Sequence, residues 1–218
     1  MTFIFKKYDT PELQKCGAEF VKELKAVGLD LQTHAKSNAT TVNPWKVWTE
    51  YVLDWFAATA PKGTAIDARR PLPEPPDWRK ILGRAGPPTR STRGEFLVDL
   101  AHTTFPDYVA TPYDTSYYQT AVKQPCRVRL ALESEWGSVP TPGLNYHRVL
   151  EDAAKLAVLR ADVKVINFGI RDERARDVLV AALAQLRRQA GDDAPWLWVA
   201  VPHRPSQEWT PVSDVIKS

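Results

Sequence analysis

The sequence predicts an α/β fold in which a central mixed β-sheet has helices on both faces. From the N-terminus, the predicted elements are two helices, a long loop, two strands joined by a turn, and then alternating helices and strands. The final strand–helix–strand–helix–strand series implies right-handed crossovers and parallel pairing. The link between the first two strands permits antiparallel pairing, so both kinds of pairing are expected in one sheet.

Two amphipathic helices are predicted to open the chain. Asp9 is the expected N-cap of the first helix, apolar residues then recur at helical spacing, and Gly28 is expected to end it. Pro44 begins the second predicted helix, on which Glu50 and Asp54 share one face. We expect a solvated flank there, with a role in a functional site as the alternative.

Proline and arginine are frequent in residues 61–93. Seven prolines exclude a long regular element from this segment, although a short turn is predicted at residues 77–82. The segment is either a flexible basic arm that closes over a phosphate backbone or a solvated charged loop. We treat residues 1–218 as one domain, with 1–42 as an N-terminal helical extension and 44–202 as the core that contains this loop.

Acidic side chains occupy two consecutive predicted strands. Asp99 lies in the middle of the strand at residues 95–105, on a face with apolar side chains, where an unpaired carboxylate is costly. In the strand at 127–136, Glu133 and Glu135 occupy the face opposite to an apolar row of Val128, Leu130 and Leu132. Carboxylates this close repel each other unless a cation or a shared proton offsets their charge.

The C-terminal half supplies the remaining predicted elements. These are a helix at about residues 145–160, a buried strand at 163–170, a helix at 172–189 that begins at Asp172, and a last strand at 195–202. The polar tail that follows is expected to be held only in part.

Composition narrows the classes of function. The chain has 218 residues, 44% of them hydrophobic, and a net charge of +3, which permits a nucleic-acid partner without requiring one. Two cysteines and scattered histidines do not suggest a zinc site or a disulfide framework. The sequence contains no recognisable signal peptide, membrane span, phosphate-binding glycine loop or serine nucleophile elbow. We therefore expect a cytoplasmic protein without a membrane partner.

The carboxylates on the two strands favour a divalent metal site. Asp99 and Glu133 lie on consecutive predicted strands, 34 positions apart, so their side chains can converge at one place. Oxygen ligands suit Mg²⁺, or Mn²⁺ in its place, because Mg²⁺ binds through one or two carboxylates together with substrate phosphates. Such an ion activates water and stabilises the leaving oxygen of a phosphodiester.

These residues, taken in order, resemble the PD-(D/E)xK nuclease superfamily. Its restriction-endonuclease-like core contains a helix, three strands, a helix and a strand. The resemblance spans about residues 44–170, and it is carried by Asp99 and by the runs LALESEWG at 130–137, EDAAKL at 151–156 and VKVI at 163–166. It implies a magnesium-dependent endonuclease that hydrolyses phosphodiester bonds, with DNA as the expected nucleic acid.

The resemblance also implies roles for individual residues. Asp99 and Glu133 would be metal ligands, and Glu50 or Glu95 would supply a further acidic ligand. Glu135 stands where the superfamily usually has its catalytic lysine, a departure also found in some of its restriction enzymes. A positive charge would otherwise come from a displaced position, which is Lys155 on the next helix or Lys164 on the following strand.

A non-catalytic member of the same fold is the second hypothesis. It would use the sheet, the basic loop and the eight tryptophans as a binding module for nucleic acid or a partner protein. A separate alternative, without any functional site, is that Glu133 and Glu135 form a solvent-facing strand end paired with Arg127, Arg129 or a neighbour. If the chain is a nuclease, a homodimer is expected, because many nucleases of this fold cut both strands as dimers.

Overall fold

The helices and strands follow the predicted order and include two strands that were not predicted. The computed structural model describes residues 3–37, 44–69, 78–83, 85–87, 90, 97–104, 127–136, 144–202 and 213–215. The elements in these ranges are α1 Thr10–Ser37, α2 Pro44–Ala58, β1 Ala65–Ala68, α3 Trp78–Leu82, β2 Leu100–Thr103, β3 Val128–Glu135, α4 Leu144–Val158, β4 Ala161–Ile170, α5 Glu173–Ala190, β5 Trp196–Pro202 and β6 Ser213–Val215.

The strands form one mixed sheet in the order β1-β2-β3-β4-β5-β6. β3 pairs with β4, and β4 with β5, in parallel, whereas the other three pairings are antiparallel. The predicted parallel pairing in the C-terminal half and the predicted antiparallel pairing of β2 with β3 are both confirmed. The α/β class with a mixed sheet is therefore confirmed as well.

Helices cover both faces of the sheet. On one side, called the α1–α2 face, α1, α2 and α3 pack on apolar residues of β2–β5 that include Leu100, Leu130, Leu132, Val165 and Leu197. On the other side, the α4–α5 face, the two later helices pack on a second set that includes Ala131, Ile166, Phe168 and Trp198. The region 1–42, expected to be an extension, thus contributes α1 to the main core, because its helix buries residues that include Leu13, Phe20 and Leu24.

Helix ends follow the predicted caps except at Gly28. Asp9 accepts a hydrogen bond from the Glu12 amide, and Asp172 accepts one from the Ala175 amide at the start of α5. The prediction that Gly28 ends α1 is wrong, since the helix continues to Ser37. A glycine stops a helix when it takes a left-handed conformation, as Gly191 does after α5, and Gly28 has no positive φ. One helical glycine costs only about 1 kcal/mol, which the packing of α1 offsets.

The predicted side-chain faces of β2 and β3 are wrong at one end of each strand. Leu97 has a φ of 55° and precedes a bend, so Val98 packs on the α4–α5 face while Leu100 packs on the opposite face. In β3, a shift in the pairing with β2 places Val128 on the α4–α5 face as well. Strict alternation fails at both places because the backbone is irregular there.

β1 was not predicted, because it lies in the proline-rich segment. It occupies a proline-free stretch between Pro61 and Pro71 and pairs with β2 over its full length. The predicted turn at 77–82 corresponds to the short helix α3. No helix in the described part of the chain is both long and apolar enough to cross a membrane.

Candidate functional site

The candidate site lies where β3 ends and β2 begins. Because these strands are antiparallel, the first residues of β2 lie beside the last residues of β3. Asp99 immediately precedes β2, and its Oδ2 accepts a hydrogen bond of 2.9 Å from the Ser134 amide. The prediction that Asp99 lies in mid-strand is thus wrong. Its carboxylate lies at the end of the ladder, close enough to Glu133 for the two charges to interact.

Glu133 projects from β3 onto the α4–α5 face and meets a lysine there. Its side chain is only 3% exposed, and its Oε1 lies 2.6 Å from Nζ of Lys155 on α4. The same Nζ lies 2.7 Å from Oδ1 of Asp152, one helical turn earlier. The Lys155 side chain is half-exposed, so its ammonium group links a buried carboxylate to the surface.

The ionisation of these groups is shifted by burial and by their mutual charge. Burial and, to a smaller extent, the negative charge of Asp99 raise the pKa of Glu133 to about 8, although Lys155 opposes the shift. Burial also raises the pKa of Asp99, although Arg69 and the Ser134 amide act in the opposite direction. Burial disfavours the charged form of Lys155, but hydrogen bonds to Asp152 and Glu133 raise its pKa overall. A cation placed between the carboxylates would offset the repulsion between their charges.

Arginines already supply part of that positive charge. Arg69, just after β1, donates from Nη2 to Glu50 Oε1 at 3.1 Å, and its Nε lies 3.8 Å from Asp99 Oδ1. The second oxygen of Glu50 accepts from Arg90 Nη2 at 2.7 Å. Glu50 is therefore connected to Asp99 through Arg69, and both of its carboxylate oxygens are paired with arginines.

The second acidic residue on α2, Asp54, accepts hydrogen bonds from three residues of the proline- and arginine-rich segment. Asp54 Oδ1 accepts from Arg90 at 3.0 Å, and its Oδ2 accepts from the indole of Trp78 at 3.0 Å and from Arg79 at 3.3 Å. Glu50 and Asp54 are both buried. The expectation of a solvated flank at these residues is therefore wrong, and at least three cations of the basic segment are paired within the protein.

Lys164, the second candidate for the displaced lysine, belongs to a different cluster. It is buried on β4, with Nζ 2.7 Å from Oδ2 of Asp192, just after α5. Burial lowers the pKa of Lys164, while Asp192 opposes the shift. The same carboxylate accepts a hydrogen bond of 2.6 Å from the Trp196 indole. Lys164 therefore pairs with Asp192 in the interior, whereas Lys155 pairs with Glu133.

Glu135 and Glu95 are the two other predicted site residues. Glu135 is the last residue of β3, half-buried and opposite Phe168 of β4. It follows Glu133 by two residues and lies at the C-terminal end of the strand. Glu95 lies outside the described residues, as do the segment 106–124 and the tail at 203–212.

Sequence reasoning missed Asp152 and the role of Arg69. Asp152 could have been recognised from its position three residues before Lys155, on the same face of a predicted helix. In the sequence, Arg69 is one of several arginines in residues 61–93, and no pattern distinguishes it from the others. The Arg69 amide donates to the Asp99 carbonyl oxygen at 3.1 Å, just after β1. This position could not be predicted, because the prolines of the segment argue against a strand there.

The oxygen-only donor set of Asp99 and Glu133 fits Mg²⁺. Magnesium uses one or two protein carboxylates and otherwise keeps water or substrate oxygens, so two carboxylates near each other are a suitable set, which the metal would bind in deprotonated form. Over the described ranges, no group of three or more His, Cys, Asp or Glu side chains is arranged to hold a metal. A dedicated site formed only by protein ligands is therefore not present in these ranges.

No protein-family model, curated protein or solved structure matches the chain.

Proposed function

We propose that the protein is a divalent-metal-dependent nuclease with a restriction-endonuclease-like core, acting on DNA in the cytoplasm. Asp99 and Glu133 are the proposed ligands of Mg²⁺ or Mn²⁺. The observation that carries the proposal is the proximity of these two carboxylates at the junction of β2 and β3. Oxygen ligands at one point, surrounded by basic side chains, suit the hydrolysis of a phosphodiester.

The order of elements supports the fold assigned in this proposal. From α2, the chain runs through β1, β2 and β3 as an antiparallel series and then through α4 into β4, which is parallel to β3. This order resembles the helix, three strands, helix and strand expected of the superfamily core, with α3 inserted between β1 and β2. Asp99 precedes one central strand and Glu133 lies near the end of the next, which supports their proposed roles as metal ligands.

Lys155 is the proposed replacement for the lysine that Glu135 displaces. Its Nζ contacts Glu133 and its side chain is half-exposed, so it can reach a substrate phosphate next to the carboxylates. Asp152 holds this ammonium group in place. The metal, when bound, would supply an activated water and charge stabilisation for the leaving oxygen, and Lys155 would orient the phosphate.

The first prediction concerns cleavage. Plasmid DNA, single-stranded DNA and RNA are incubated with the wild type and with Asp99→Asn and Glu133→Gln, in Mg²⁺, Mn²⁺ or EDTA. We expect metal-dependent DNA cleavage that each variant lowers by about 100-fold or more, because each loses several kcal/mol of charge stabilisation. Asp162→Asn is the control, since Asp162 pairs with Arg127 and Arg129 at the opposite end of β3.

Circular dichroism establishes that each variant is folded before its activity is compared. The proposal fails if the wild type cleaves none of the three substrates and binds Mg²⁺ no better than both variants do. Cleavage that survives in both Asp99→Asn and Glu133→Gln would also contradict it, because the activity would then arise elsewhere.

A non-catalytic binding module is the second candidate function. Two observations favour it: Glu135 replaces the usual lysine, and Arg69 and Lys155 already balance the site carboxylates. In this case the wild type binds nucleic acid or a protein partner with an affinity that Asp99→Asn does not change. Homodimer formation stays a prediction of the nuclease proposal, which sedimentation of the wild type would measure.

A further inference from the structure

Arg69 stands out among the cations of the site because its contacts are the loosest. It reaches Glu50 on α2 and Asp99 at the start of β2, and it contacts Asp99 only at 3.8 Å. Its Nε, like that of Arg90, is buried and makes no hydrogen bond with any described residue. The separation of 3.8 Å from Asp99 exceeds hydrogen-bond distance, so only charge attraction holds the guanidinium against that carboxylate.

Arg90, which shares Glu50 with Arg69, is held much more firmly. Its side chain is 1% exposed, and it donates to Glu50 at 2.7 Å and to Asp54 at 3.0 Å. Its backbone amide also donates to Asp54. The Arg69 side chain is 25% exposed and has a path to solvent. If Glu50 keeps Arg90, its carboxylate remains paired when Arg69 leaves.

We propose that Arg69 is a displaceable internal counter-ion that occupies the acidic site until a divalent cation binds. The inference rests on the proposed function, since it names what regulates metal entry at Asp99 and Glu133. The charge of Asp99 disfavours the ionised form of Glu133, and the Arg69 guanidinium favours the ionised form of Asp99. A divalent cation supplies more charge at the same place. Asp99 therefore exchanges one cation for the other, and Arg69 turns toward solvent.

The consequence is a competition that lowers the affinity for metal. The metal must replace the Arg69–Asp99 contact, so removal of the guanidinium favours metal binding. A freed Arg69 would also lie beside the site, where a phosphate group of the substrate is its natural partner. Metal entry and substrate binding are then linked through one side chain.

The test measures Mg²⁺ binding by calorimetry in the wild type, Arg69→Gln and Arg69→Lys. The matched control is Arg79→Gln, which removes the same charge from the same segment, because Arg79 is 27% exposed and pairs with Asp54. We expect Arg69→Gln to bind Mg²⁺ about tenfold more tightly, a difference of about 1.4 kcal/mol, and the control to match the wild type.

Nuclear magnetic resonance of the arginine Nε–H groups separates displacement from a general change in charge. On addition of Mg²⁺ to the wild type, the Arg69 signal should shift and exchange faster with water, while the Arg90 signal stays unchanged. Arg69→Lys keeps a positive charge and serves as the second variant if Arg69→Gln does not fold. It should bind Mg²⁺ more tightly than the wild type but less tightly than Arg69→Gln.

The outcomes distinguish this inference from the proposed function. If Mg²⁺ binds the wild type but not more tightly in the Arg69 variants, or if the Arg69 signal does not move, the counter-ion inference is wrong and the metal site stands. If Mg²⁺ binds neither the wild type nor any variant, both are wrong. Tighter binding in Arg69→Gln together with an unchanged Arg79→Gln supports both.

Discussion

The buried ring of His102 is stabilised by a specific hydrogen-bond partner at each of its nitrogens. Its ring is fully buried on β2, with Nε2 2.9 Å from the Phe56 carbonyl oxygen and Nδ1 2.9 Å from the Tyr8 hydroxyl. A carbonyl oxygen only accepts, so Nε2 carries the proton and Nδ1 accepts from Tyr8. Burial lowers the pKa of His102 to about 4, although the bond to Phe56 opposes the shift. The neutral ring is therefore a structural link between β2, α2 and the N-terminal segment.

A pH-dependent stability follows for His102. Its pKa is lower in the folded protein than the ordinary value of 6.5, so the unfolded chain binds the proton first as pH falls. The stabilisation is complete above about pH 6.5 and is lost progressively toward pH 4, to a total of about 3 kcal/mol. Urea unfolding of the wild type and of His102→Phe across this pH range measures it.

We expect His102→Phe to be less stable than the wild type at neutral pH and to have a flatter pH profile. His147→Gln is the control, because His147 lies on the exposed side of α4. An equal slope of the unfolding free energy against pH in the wild type and His102→Phe would contradict the prediction.

At the scale of elements, α2 organises the proline- and arginine-rich segment. Prolines keep this segment from forming long helices or strands, so its position depends on side-chain contacts. Glu50 and Asp54, one helical turn apart on α2, provide the acceptors for Arg69, Arg79 and Arg90. These three arginines, which belong to the described parts of the segment, are thereby held against α2, and Arg69 lies beside the candidate site.

Arg90 is the residue on which this attachment depends most. Arg90→Met should lower the free energy of unfolding by about 3 kcal/mol or more, because it leaves two buried carboxylates without their shared partner. Arg127→Met is the matched control, since Arg127 is exposed in its pair with Asp162, and we expect a change below about 1 kcal/mol. Denaturant titration of both variants measures the difference, and similar losses would show that burial of the pair is not decisive.

At the scale of the whole molecule, the sheet divides the core into two apolar layers that depend on different parts of the chain. The α1–α2 face needs α1, which comes from the first 42 residues, whereas the α4–α5 face is built by the C-terminal half. α1 also packs beside β5, where Gly17 closely approaches Leu197. The candidate site lies between these layers, at the end of β3.

Removal of the N-terminal region should therefore unfold the protein. A fragment of residues 44–218 loses at least six buried apolar side chains of α1: Leu13, Cys16, Phe20, Val21, Leu24 and Val27. At about 1.5–3 kcal/mol for a large side chain, the loss approaches or exceeds the typical stability of about 5–15 kcal/mol. Near-ultraviolet circular dichroism and thermal melting measure it. A fragment that melts cooperatively at the temperature of the full chain would show that α1 is dispensable.

Part of the fold and of the site could be predicted because local patterns were sufficient. Alternating apolar residues identified β3, and the spacing and caps of α5 identified that helix. Asp99 and Glu133 could be paired because consecutive strands with a permissive link become neighbours. The side-chain faces at Val98 and Val128 could not be predicted, since a bend and a register shift have no clear signal in the residue pattern.

The sequence by itself determined the α/β class, the pairing directions of the central strands and the pair of acidic residues, because each depends on local periodicity or on the order of elements along the chain. Only the tertiary structure decided the partners of the charged side chains. Glu50 faces arginines, Lys155 rather than Lys164 contacts Glu133, and β1 brings Arg69 to Asp99. The physical reason is that a buried charge is stable only beside an opposite charge. The chain segments that supply the opposite charges are distant in sequence, so the sequence pattern does not reveal the pairs.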